Sequence, residues 1–265
     1  MTTSAVAGFM RGPADSMPAQ RDPRGLEHHP HLGQFRLRPL KLSDIDQVLA
    51  LRDEVLAELE DRDLYVREAD EAGFVAMHLN DGESSPRGET LGVFERDQLV
   101  AYAMLGLPAA EDADNLGRYF TDQRAELAET AHLASCMVRR PFRGNFLQRL
   151  LLTARFALAR SYRRQLCVSM VSLRNAASRH NLMREGLCIG WVGEIDGLRR
   201  QLLALRLDGS WDFARDQARL VSAVDWEQQC DLTRAGWWGI ASDAATRERA
   251  ILFAPRIGGP GYAPR

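Results

Sequence analysis

A short turn in the middle of the chain has the residue types best suited to hold an anion. The segment Arg143-Gly144-Asn145 lies between an apolar stretch that ends at Val138 and an amphipathic stretch that begins at Phe146. If the second stretch is a helix, its first backbone N–H groups are unpaired and its dipole favours negative charge. Many turns between a strand and a helix contain glycine, so an ordinary turn is the alternative. A bound phosphate would meet the amides of Gly144, Asn145, Phe146, Leu147 and Gln148.

Four arginines surround this turn, namely Arg139, Arg140, Arg143 and Arg149. A guanidinium group can bind phosphate bidentately through its planar fork of N–H donors. The whole chain has 34 basic and 36 acidic residues, and its net charge of −2 supplies no general field for nucleic acid or an anionic membrane. The arginines therefore indicate a small phosphorylated ligand, with a solvated surface role as the alternative for each.

Two more residues that could do chemistry, His132 and Cys136, lie four positions apart in an apolar stretch that we interpret as a strand. Alternation would put both on one face of that strand. A cysteine–histidine nucleophile pair is one interpretation, and a buried thiol that acts as a small apolar residue is the more usual one. None of the four cysteines forms a Cys-x-x-Cys pair, so we expect reduced thiols and no structural zinc.

Hydrophobic periodicity predicts the elements that must position these residues. Ser43 is the expected cap of the first helix, with Asp46 completing a capping-box variant. Phe146 is expected to face inward with the apolar stripe of its helix. We expect strands over 35–39, 90–94, 99–107, 132–138, 165–172, 189–195 and 199–208, helices over 44–59, 68–79, 146–163, 175–185 and 211–234, and a last hairpin formed by 236–240 and 250–254.

The order of these elements, together with two short motifs, resembles the GNAT superfamily of acyl-CoA-dependent N-acyltransferases over about residues 35–208. The motifs are Val138-Arg-Arg-Pro-Phe-Arg143-Gly-Asn-Phe-Leu-Gln148 and Asn175-Ala-Ala-Ser178, the second ahead of a short helix that ends at Gly186. In the family, a segment of the form V-x-P-x-x-R-G-x-G-x-G/A cradles the pyrophosphate of coenzyme A. Arg143 and Gly144 match it, whereas Phe146 and Gln148 stand where the family has glycine.

The resemblance implies a mixed α/β (α+β) fold with a mostly antiparallel central sheet and flanking helices. The strands over 132–138 and 165–172 would splay apart, and the pantetheine arm of acetyl-CoA or another acyl-CoA would lie between them. A backbone N–H of the first of these strands would polarise the thioester carbonyl. No metal is expected. Beside the amides of 144–148, the cofactor would meet Met137, Val138 and Arg143, with Asn175 and Ser178 near its thiol end.

The resemblance also implies catalytic groups. The family's general base often lies on the strand before the pyrophosphate loop, where this chain has His132, and an imidazole with a pKa near 7 suits an amine substrate. A core histidine bonded to a backbone carbonyl is the alternative. Many members have a tyrosine on the short helix as the acid that protonates the leaving thiolate. That position is Leu182 here, so another group or solvent would have to protonate the thiolate.

The activity implied is transfer of an acyl group, most simply acetyl, from acyl-CoA to an amine by direct attack in a ternary complex. The alternatives are an acyl-CoA-binding sensor without turnover and an interaction domain of the same fold. We expect a small-molecule or peptide amine as substrate and no nucleic-acid or membrane partner, and we leave a homodimer open. No motif identifies the acceptor, whose selection would depend on residues 43–79, 108–129 and the last hairpin.

The remaining segments set the expected domain organisation. Residues 1–34 are expected to form a flexible arm, in which His28, His29 and His31 indicate either a weak metal site or a solvated tail. Residues 35–208 would form the acyltransferase-like domain, and 209–265 a helix and hairpin packed on it. Residues 1–20 lack the apolar core of a secretory signal and no run of 18 apolar residues occurs, so we expect a cytoplasmic protein.

Overall fold

The computed structural model describes residues 34–59, 61–242 and 250–258 of the 265-residue chain. Its strands are β1 (Phe35–Pro39), β2 (Gly88–Glu95), β3 (Gln98–Gly106), β4 (Thr130–Val138), β5 (Leu166–Ser172), β6 (Cys188–Ile195), β7 (Leu198–Arg206), β8 (Asp212–Phe213), β9 (Arg219–Ser222), β10 (Trp237–Ser242) and β11 (Ala250–Ile257). Its α-helices are α1 (Ile45–Ala57), α2 (Glu71–Met77), α3 (Arg124–Ala128), α4 (Leu147–Ser161), α5 (Ala176–Arg184) and α6 (Trp226–Arg234).

The strands form one open sheet in the order β1-β2-β3-β4-β5-β7-β6-β10-β11-β8, and β9 also pairs with β11. Within the described residues, β4 and β5 form the one parallel pair, and all other strand pairs are antiparallel. This topology, with helices on both faces, confirms the predicted mixed, mostly antiparallel fold. The strands predicted over 90–94 and 99–107 pair as the hairpin β2–β3, and those over 189–195 and 199–208 pair as β6–β7. The predicted last hairpin is confirmed as β10–β11.

The alternation of side chains along β3 shows how the two faces of the sheet are covered. Ala101 and Ala103 pack in the cluster that contains α4, α5 and α6, whereas Tyr102 and Met104 pack with α1 and α2 on the opposite face. The far half of that second face is covered by a third cluster, which includes Phe120, Trp191, Phe213 and Trp238. Helices α1 and α4 therefore enclose the central strands from opposite sides.

The predicted helix over 211–234 is wrong in its first half. Residues 212–213 and 219–222 form the short strands β8 and β9 on β11, and only 226–234 is α-helical. Asp225 caps α6 by accepting the N–H of Gln228 at 3.0 Å, so the helix begins after it. Pairing with the distant strand β11 satisfies the backbone of the upstream segment, and this tertiary contact outweighs its local helical periodicity.

The predicted cap at Ser43 is also wrong. A single 3₁₀ turn, Leu42–Asp44, precedes α1, and the Asp44 carboxylate accepts the N–H of Lys41 at 2.9 Å. The same carboxylate receives two hydrogen bonds from Arg38, at 2.7 and 2.8 Å, and these hold its pKa below the usual range. Asp44 therefore fixes the junction between β1 and α1.

The C-terminal hairpin extends the sheet, and its adjacent tryptophans face opposite sides of it. Trp238 is buried among Phe120, Trp211 and Phe213, whereas Trp237 packs in the α4-side cluster beneath the guanidinium of Arg219. The packing of residues 210–242 and 250–258 on the sheet is thus continuous with the rest of the core.

The remaining expectations concern the terminal segments, the cysteines, metal sites and membrane-spanning helices. Residues 1–33 of the expected arm, which include its histidines, and the last seven residues lie outside the described ranges. All four cysteines are free thiols. In the described ranges, no group of three or more His, Cys, Asp or Glu side chains could hold a metal, and no helix is long and apolar enough to cross a membrane.

Candidate active site

The parallel strands β4 and β5 separate after a short paired stretch. Their pairing runs from Thr130–Leu166 through His132–Val168 and then stops. At the point of separation, the hydroxyl of Ser169 donates to the carbonyl of Leu133 at 3.1 Å. Beyond Leu133, the edge of β4 that faces β5 has no strand partner within the described residues. A wedge-shaped gap therefore opens toward the C-terminal ends of both strands, with unpaired backbone groups along one side.

A β-bulge lies in β4 where the gap begins. Ala103 of β3 pairs with Cys136 and Leu105 pairs with Leu133, so Ala134 and Ser135 together face the single residue Met104. Such a two-against-one arrangement bends the strand and changes the direction of its backbone groups. The bulge thus lies at the start of the gap, on the strand whose free edge lines it.

The chain leaves β4 at Val138 and turns into α4 through a loop that contains two left-handed residues. Gly144 has φ +83° and Phe146 has φ +59°. In the part of the chain that the structure describes, the backbone N–H groups from 144 to 148 donate no hydrogen bond to another backbone group or side chain. They form the free amide set that the sequence predicts for an anion at a helix N-terminus.

The predicted inward orientation of Phe146 is wrong. Phe146 is the residue before α4 rather than part of its buried stripe, and it is 61% exposed. Its left-handed backbone turns the side chain away from the core and leaves Leu147 as the first buried residue of the helix. The phenyl ring therefore lies at the surface beside the free amides.

Contacts of the neighbouring polar side chains stabilise this loop and join it to α5. The Nδ2 group of Asn145 donates to the carbonyl of Phe142 at 3.1 Å, and Arg143 Nε donates to the carbonyl of Val138 at the same distance. Gln148 Oε1 accepts Nδ2 of Asn181 at 2.5 Å, which joins the first turn of α4 to α5. Asn181 is a site residue that the sequence reasoning missed.

Three of the four arginines around the turn are already paired with glutamates. Arg139 bonds Glu54, Arg143 bonds Glu58 at 2.9 Å, and Arg149 bonds Glu185 at 2.6 Å. The first two pairs hold the end of α1 against the turn, and the third joins α4 to the end of α5. The side chain of Arg140 is exposed and makes no hydrogen bond or ion pair to the described residues. Arg140 is therefore the member of the set that a ligand phosphate can reach without breaking an existing pair.

The structure brings the other predicted cofactor residues to the same end of the sheet, but in different roles. Met137 is buried against the α1 side, and Val138 is half-buried against the α4 side. Asn175 Oδ1 accepts the backbone N–H of Ser178 at 3.0 Å, so this asparagine is the N-cap of α5. The cap places the start of α5 directly after β5, on the other side of the gap from the turn.

His132 lies at the closed end of the gap, before the bulge. Its Nε2 atom accepts the backbone N–H of Leu116 at 3.0 Å. Burial lowers its pKa to about 4, and the nearby charges of Asp114 and Asp112 offset this only partly. With the imidazole lone pair already occupied, the geometry favours a structural role that fixes the 116–119 turn. The base role predicted for His132 receives no support from these contacts.

The bulge also separates His132 from Cys136. Ala131 and Leu133 pack on the α4 side, so His132 faces the α1 side, while Cys136 packs on the α4 side because the bulge adds one residue between them. The expectation that both side chains share one face is wrong, and they form no nucleophile pair. Burial raises the pKa of the Cys136 thiol, as for a small core residue.

Sequence reasoning missed a buried network on the α1 side of the bulge. Arg52, on α1, is fully buried and donates to the hydroxyls of Tyr65, Tyr102 and Ser135 at 3.0–3.1 Å. Its guanidinium also forms an ion pair with Glu71 on α2. Ser135 is a bulge residue, so the network joins the helices on this face to the backbone at the gap. A signal was present, because Arg52 lies among Val48, Leu51 and Val55 on the apolar stripe of α1.

Next to this network lies a carboxylate with a raised pKa. Glu68 stands just before α2, its backbone N–H donates to Glu71 Oε1 at 2.8 Å, and its side chain remains exposed. Partial desolvation of the carboxyl group, together with the like charge of Glu71, raises the pKa of Glu68 above its ordinary value. A carboxylate in this state is better able to accept a proton near neutral pH than an ordinary surface glutamate.

Comparisons with known proteins find similarity to solved acetyltransferase structures. They include an acetyltransferase of the GNAT family from Streptococcus pneumoniae (18% identity, 65% of this chain and 99% of that chain, TM-score 0.48) and a PaiA N-acetyltransferase from Thermoplasma acidophilum in complex with coenzyme A (14%, 65% and 98%, 0.47). A third is a ribosomal-protein-alanine N-acetyltransferase from Brucella melitensis (20%, 65% and 99%, 0.46). No protein-family model and no curated protein matches the sequence.

Proposed function

We propose that this protein is an N-acyltransferase that moves an acyl group, most simply acetyl, from acyl-CoA to an amine acceptor. One observation carries the proposal: the parallel strands β4 and β5 separate beside a helix N-terminus whose amides are free. The gap suits an extended thioester arm, and the amides suit the diphosphate to which that arm is attached. Few ligands other than acyl-CoA combine these two chemical features.

Acyl-CoA supplies the activated carbonyl as a thioester, and residues at the turn would hold its phosphates. The amides of 144–148 face outward at the positive end of the α4 dipole. Arg140 adds a cation that is free of any partner in the described chain. Asn145 and Gln148 are occupied by contacts to Phe142 and Asn181, so they contribute their backbone rather than their side chains.

The unpaired edge of β4 provides donors for the thioester carbonyl. Backbone N–H groups that face the gap are fixed by the strand and by the bulge, so they need no reorganisation when negative charge develops on the carbonyl oxygen. The amine nitrogen attacks the carbonyl carbon, the carbon–sulfur bond breaks, and the coenzyme leaves as a thiolate. Both substrates would be bound at once, and the amine nitrogen itself would be the nucleophile.

For proton removal we assign the base role to Glu68 rather than to His132. Glu68 is exposed, has a raised pKa and stands in the segment between α1 and α2. The segment reaches across the gap: the guanidinium of Arg200 on β7 donates to the carbonyl of Asp63 at 3.2 Å. A protonated amine that enters under this segment would meet the Glu68 carboxylate, which takes its proton.

An acyl-CoA sensor without turnover is the second candidate, and one observation favours it. Leu182, which stands where the resemblance places an acidic tyrosine, is buried in the core on the α4 side. Neither its chemistry nor its position allows it to protonate the thiolate. In an enzyme, solvent at the open end of the gap would have to supply that proton. A sensor releases no thiolate and so needs no such proton donor.

Two measurements on the purified protein separate these functions. Calorimetric titration with acetyl-CoA tests the cofactor site, and binding would also raise the melting temperature because the ligand binds only the folded chain. Release of free thiol from acetyl-CoA across a panel of small and peptide amines then tests turnover. Binding with amine-dependent thiol release supports the enzyme, and binding without thiol release for any amine supports the sensor. Absence of binding at millimolar acetyl-CoA rejects both.

A further inference from the structure

A second buried arginine contacts the bulge from the α4 side. Arg155 of α4 is only 2% exposed, and its Nη1 group donates to the carbonyl of Met104 at 3.0 Å and to that of Ala134 at 3.4 Å. Met104 is the residue of β3 that faces the bulge, and Ala134 is a bulge residue. The side chain therefore bridges the two strands at the point where their regular ladder is interrupted.

The ionic environment of Arg155 is unusual for a buried cation. Within the described ranges it forms no ion pair with a carboxylate, and its Nε atom has no hydrogen-bond partner. Burial lowers its pKa, and the thiols of Cys136 and Cys167 oppose this effect. A buried charge without a counter-ion destabilises the folded state. The hydrogen bonds to Met104 and Ala134 therefore come from a guanidinium group whose burial lowers the stability of the fold. Its presence there points to a role at the bulge itself.

The same bulge is held from the opposite face. Arg52 donates to Ser135 Oγ at 3.0 Å and to Tyr102 Oη at 3.0 Å on the α1 side. Ala134 and Ser135 are thus each bonded to a buried arginine, one through its carbonyl and the other through its hydroxyl. The two helices fix a backbone segment that has lost regular strand pairing.

We propose that Arg155 is a positioning residue, which fixes the bulged backbone of β4 so that the strand's free N–H groups point at the thioester carbonyl. This inference rests on the acyltransferase function proposed above. Arg155 touches neither substrate in this arrangement; it acts through the carbonyls of Met104 and Ala134. Its removal should therefore impair polarisation of the carbonyl while the coenzyme site at residues 140–148 stays intact.

The test compares Arg155→Met and Arg155→Lys with the wild type and with Arg160→Met, an exposed position on the same helix. Each protein is assayed for kcat, KM and melting temperature, and for the Kd of acetyl-CoA by calorimetry. The infrared carbonyl stretch of bound acetyl-CoA, labelled with ¹³C at the thioester carbon, reports polarisation directly. This infrared measurement can be made whether or not the protein turns over acetyl-CoA.

For Arg155→Met we expect kcat to fall by roughly 100-fold, as for loss of an oxyanion donor. The Kd of acetyl-CoA should stay at its wild-type value, and the carbonyl stretch should move to higher frequency. Arg155→Lys should recover part of both effects, and Arg160→Met should match the wild type. If Arg155→Met does not fold, the kcat and the carbonyl stretch of the Arg155→Lys variant decide the question.

The inference is overturned if a folded Arg155 variant keeps the wild-type carbonyl frequency, or if kcat and Kd change only with the fraction of folded protein. Its failure is distinct from failure of the proposed function. A wild type that binds acetyl-CoA without turnover rejects the enzyme, yet the frequency comparison still decides the role of Arg155. A wild type that does not bind acetyl-CoA rejects both.

Discussion

The imidazole of His132 accepts the amide proton of Leu116 at 3.0 Å, and this bond joins the closed end of the β4–β5 gap to the loop that covers the neighbouring aromatic cluster. Only a neutral imidazole has a lone pair for this bond. Burial of the ring, together with the nearby charges of His78 and Arg164, favours that neutral form and outweighs the opposing effect of Asp112 and Asp114. The folded state therefore excludes a proton that the unfolded chain would bind.

This proton linkage makes stability depend on pH in a definite direction. The pKa of His132 is about 4 in the folded chain and near 6.5 in an unfolded one, so the unfolded state binds more protons between these values. The free energy of unfolding should fall as the pH decreases from about 6.5 to about 4, by an amount on the order of 3 kcal/mol. Urea denaturation at a series of pH values measures the slope.

His132→Gln is the matched comparison, because a glutamine oxygen can still accept the Leu116 N–H but does not titrate. We expect it to be close to the wild type in stability at pH 7.5 and to lose less stability at pH 4.5. His78, whose pKa burial also lowers, titrates in both proteins, so the difference between their slopes reports the replacement at position 132. Equal slopes for the two proteins would contradict the linkage.

Gly144→Ala tests the shape of the anion cradle. A Cβ at this position meets no atom within 4 Å, so the cost comes from the positive φ of +83° and should be about 1 kcal/mol of stability. Because a relaxed backbone would rotate the amides of 144–148, the Kd for coenzyme A should rise by about tenfold, or 1.4 kcal/mol. Chemical denaturation and calorimetry measure the two effects.

Gly209→Ala controls for backbone strain. Gly209 has φ +71° and also leaves open space for a Cβ, but it lies in the turn after β7. We expect a similar loss of stability with no change in the Kd for coenzyme A. If both variants weaken binding equally, the amides of 144–148 are not the coenzyme site.

Arg140→Ala tests the unpaired cation beside the cradle. Loss of a charge-assisted hydrogen bond to phosphate should raise the Kd for coenzyme A by roughly tenfold, on the order of 1.5 kcal/mol. The difference from the wild type should shrink as salt is added, because Arg140 is exposed. Arg234→Ala, on α6, removes another exposed arginine and should leave binding unchanged. A salt-independent effect, or one shared by both variants, would argue against a phosphate contact.

The elements around the site could be predicted because their patterns are local. The turn at Arg143-Gly144 follows an apolar strand and precedes an amphipathic helix, and the structure has all three where they were expected. The bulge at Ala134 and Ser135 changes no local pattern. It shows only in the pairing with β3, so the face on which His132 lies could not be assigned from the sequence.

The contacts of the two buried arginines could not be predicted from the sequence either. Arg52 and Arg155 both interrupt apolar helix stripes, which signals burial of a charge but not its partner. Their partners lie 13 to 83 residues away in sequence, and only the packing of α1 and α4 on opposite faces brings both arginines to the bulge. Long-range packing likewise turned 212–213 and 219–222 into strands.

Glu68→Gln tests the proposed base through the pH dependence of turnover. A base must be deprotonated to act, and partial desolvation raises the pKa of Glu68 above its ordinary value. In the wild type, kcat/KM should therefore rise with pH through that shifted pKa. The glutamine variant is nearly isosteric but cannot accept a proton, so kcat should fall by 100-fold or more, in line with general-base catalysis. The rising limb assigned to Glu68 should disappear, while the Kd for acetyl-CoA stays the same.

The corresponding profile of His132→Gln decides between the two candidate bases. Because the lone pair of His132 is occupied by Leu116, this variant should keep the limb that Glu68→Gln loses, with kcat close to the wild-type value. The reverse pattern, in which His132→Gln loses the limb and Glu68→Gln keeps it, would return the base role to His132. It would also require the Leu116 contact to open when the amine binds.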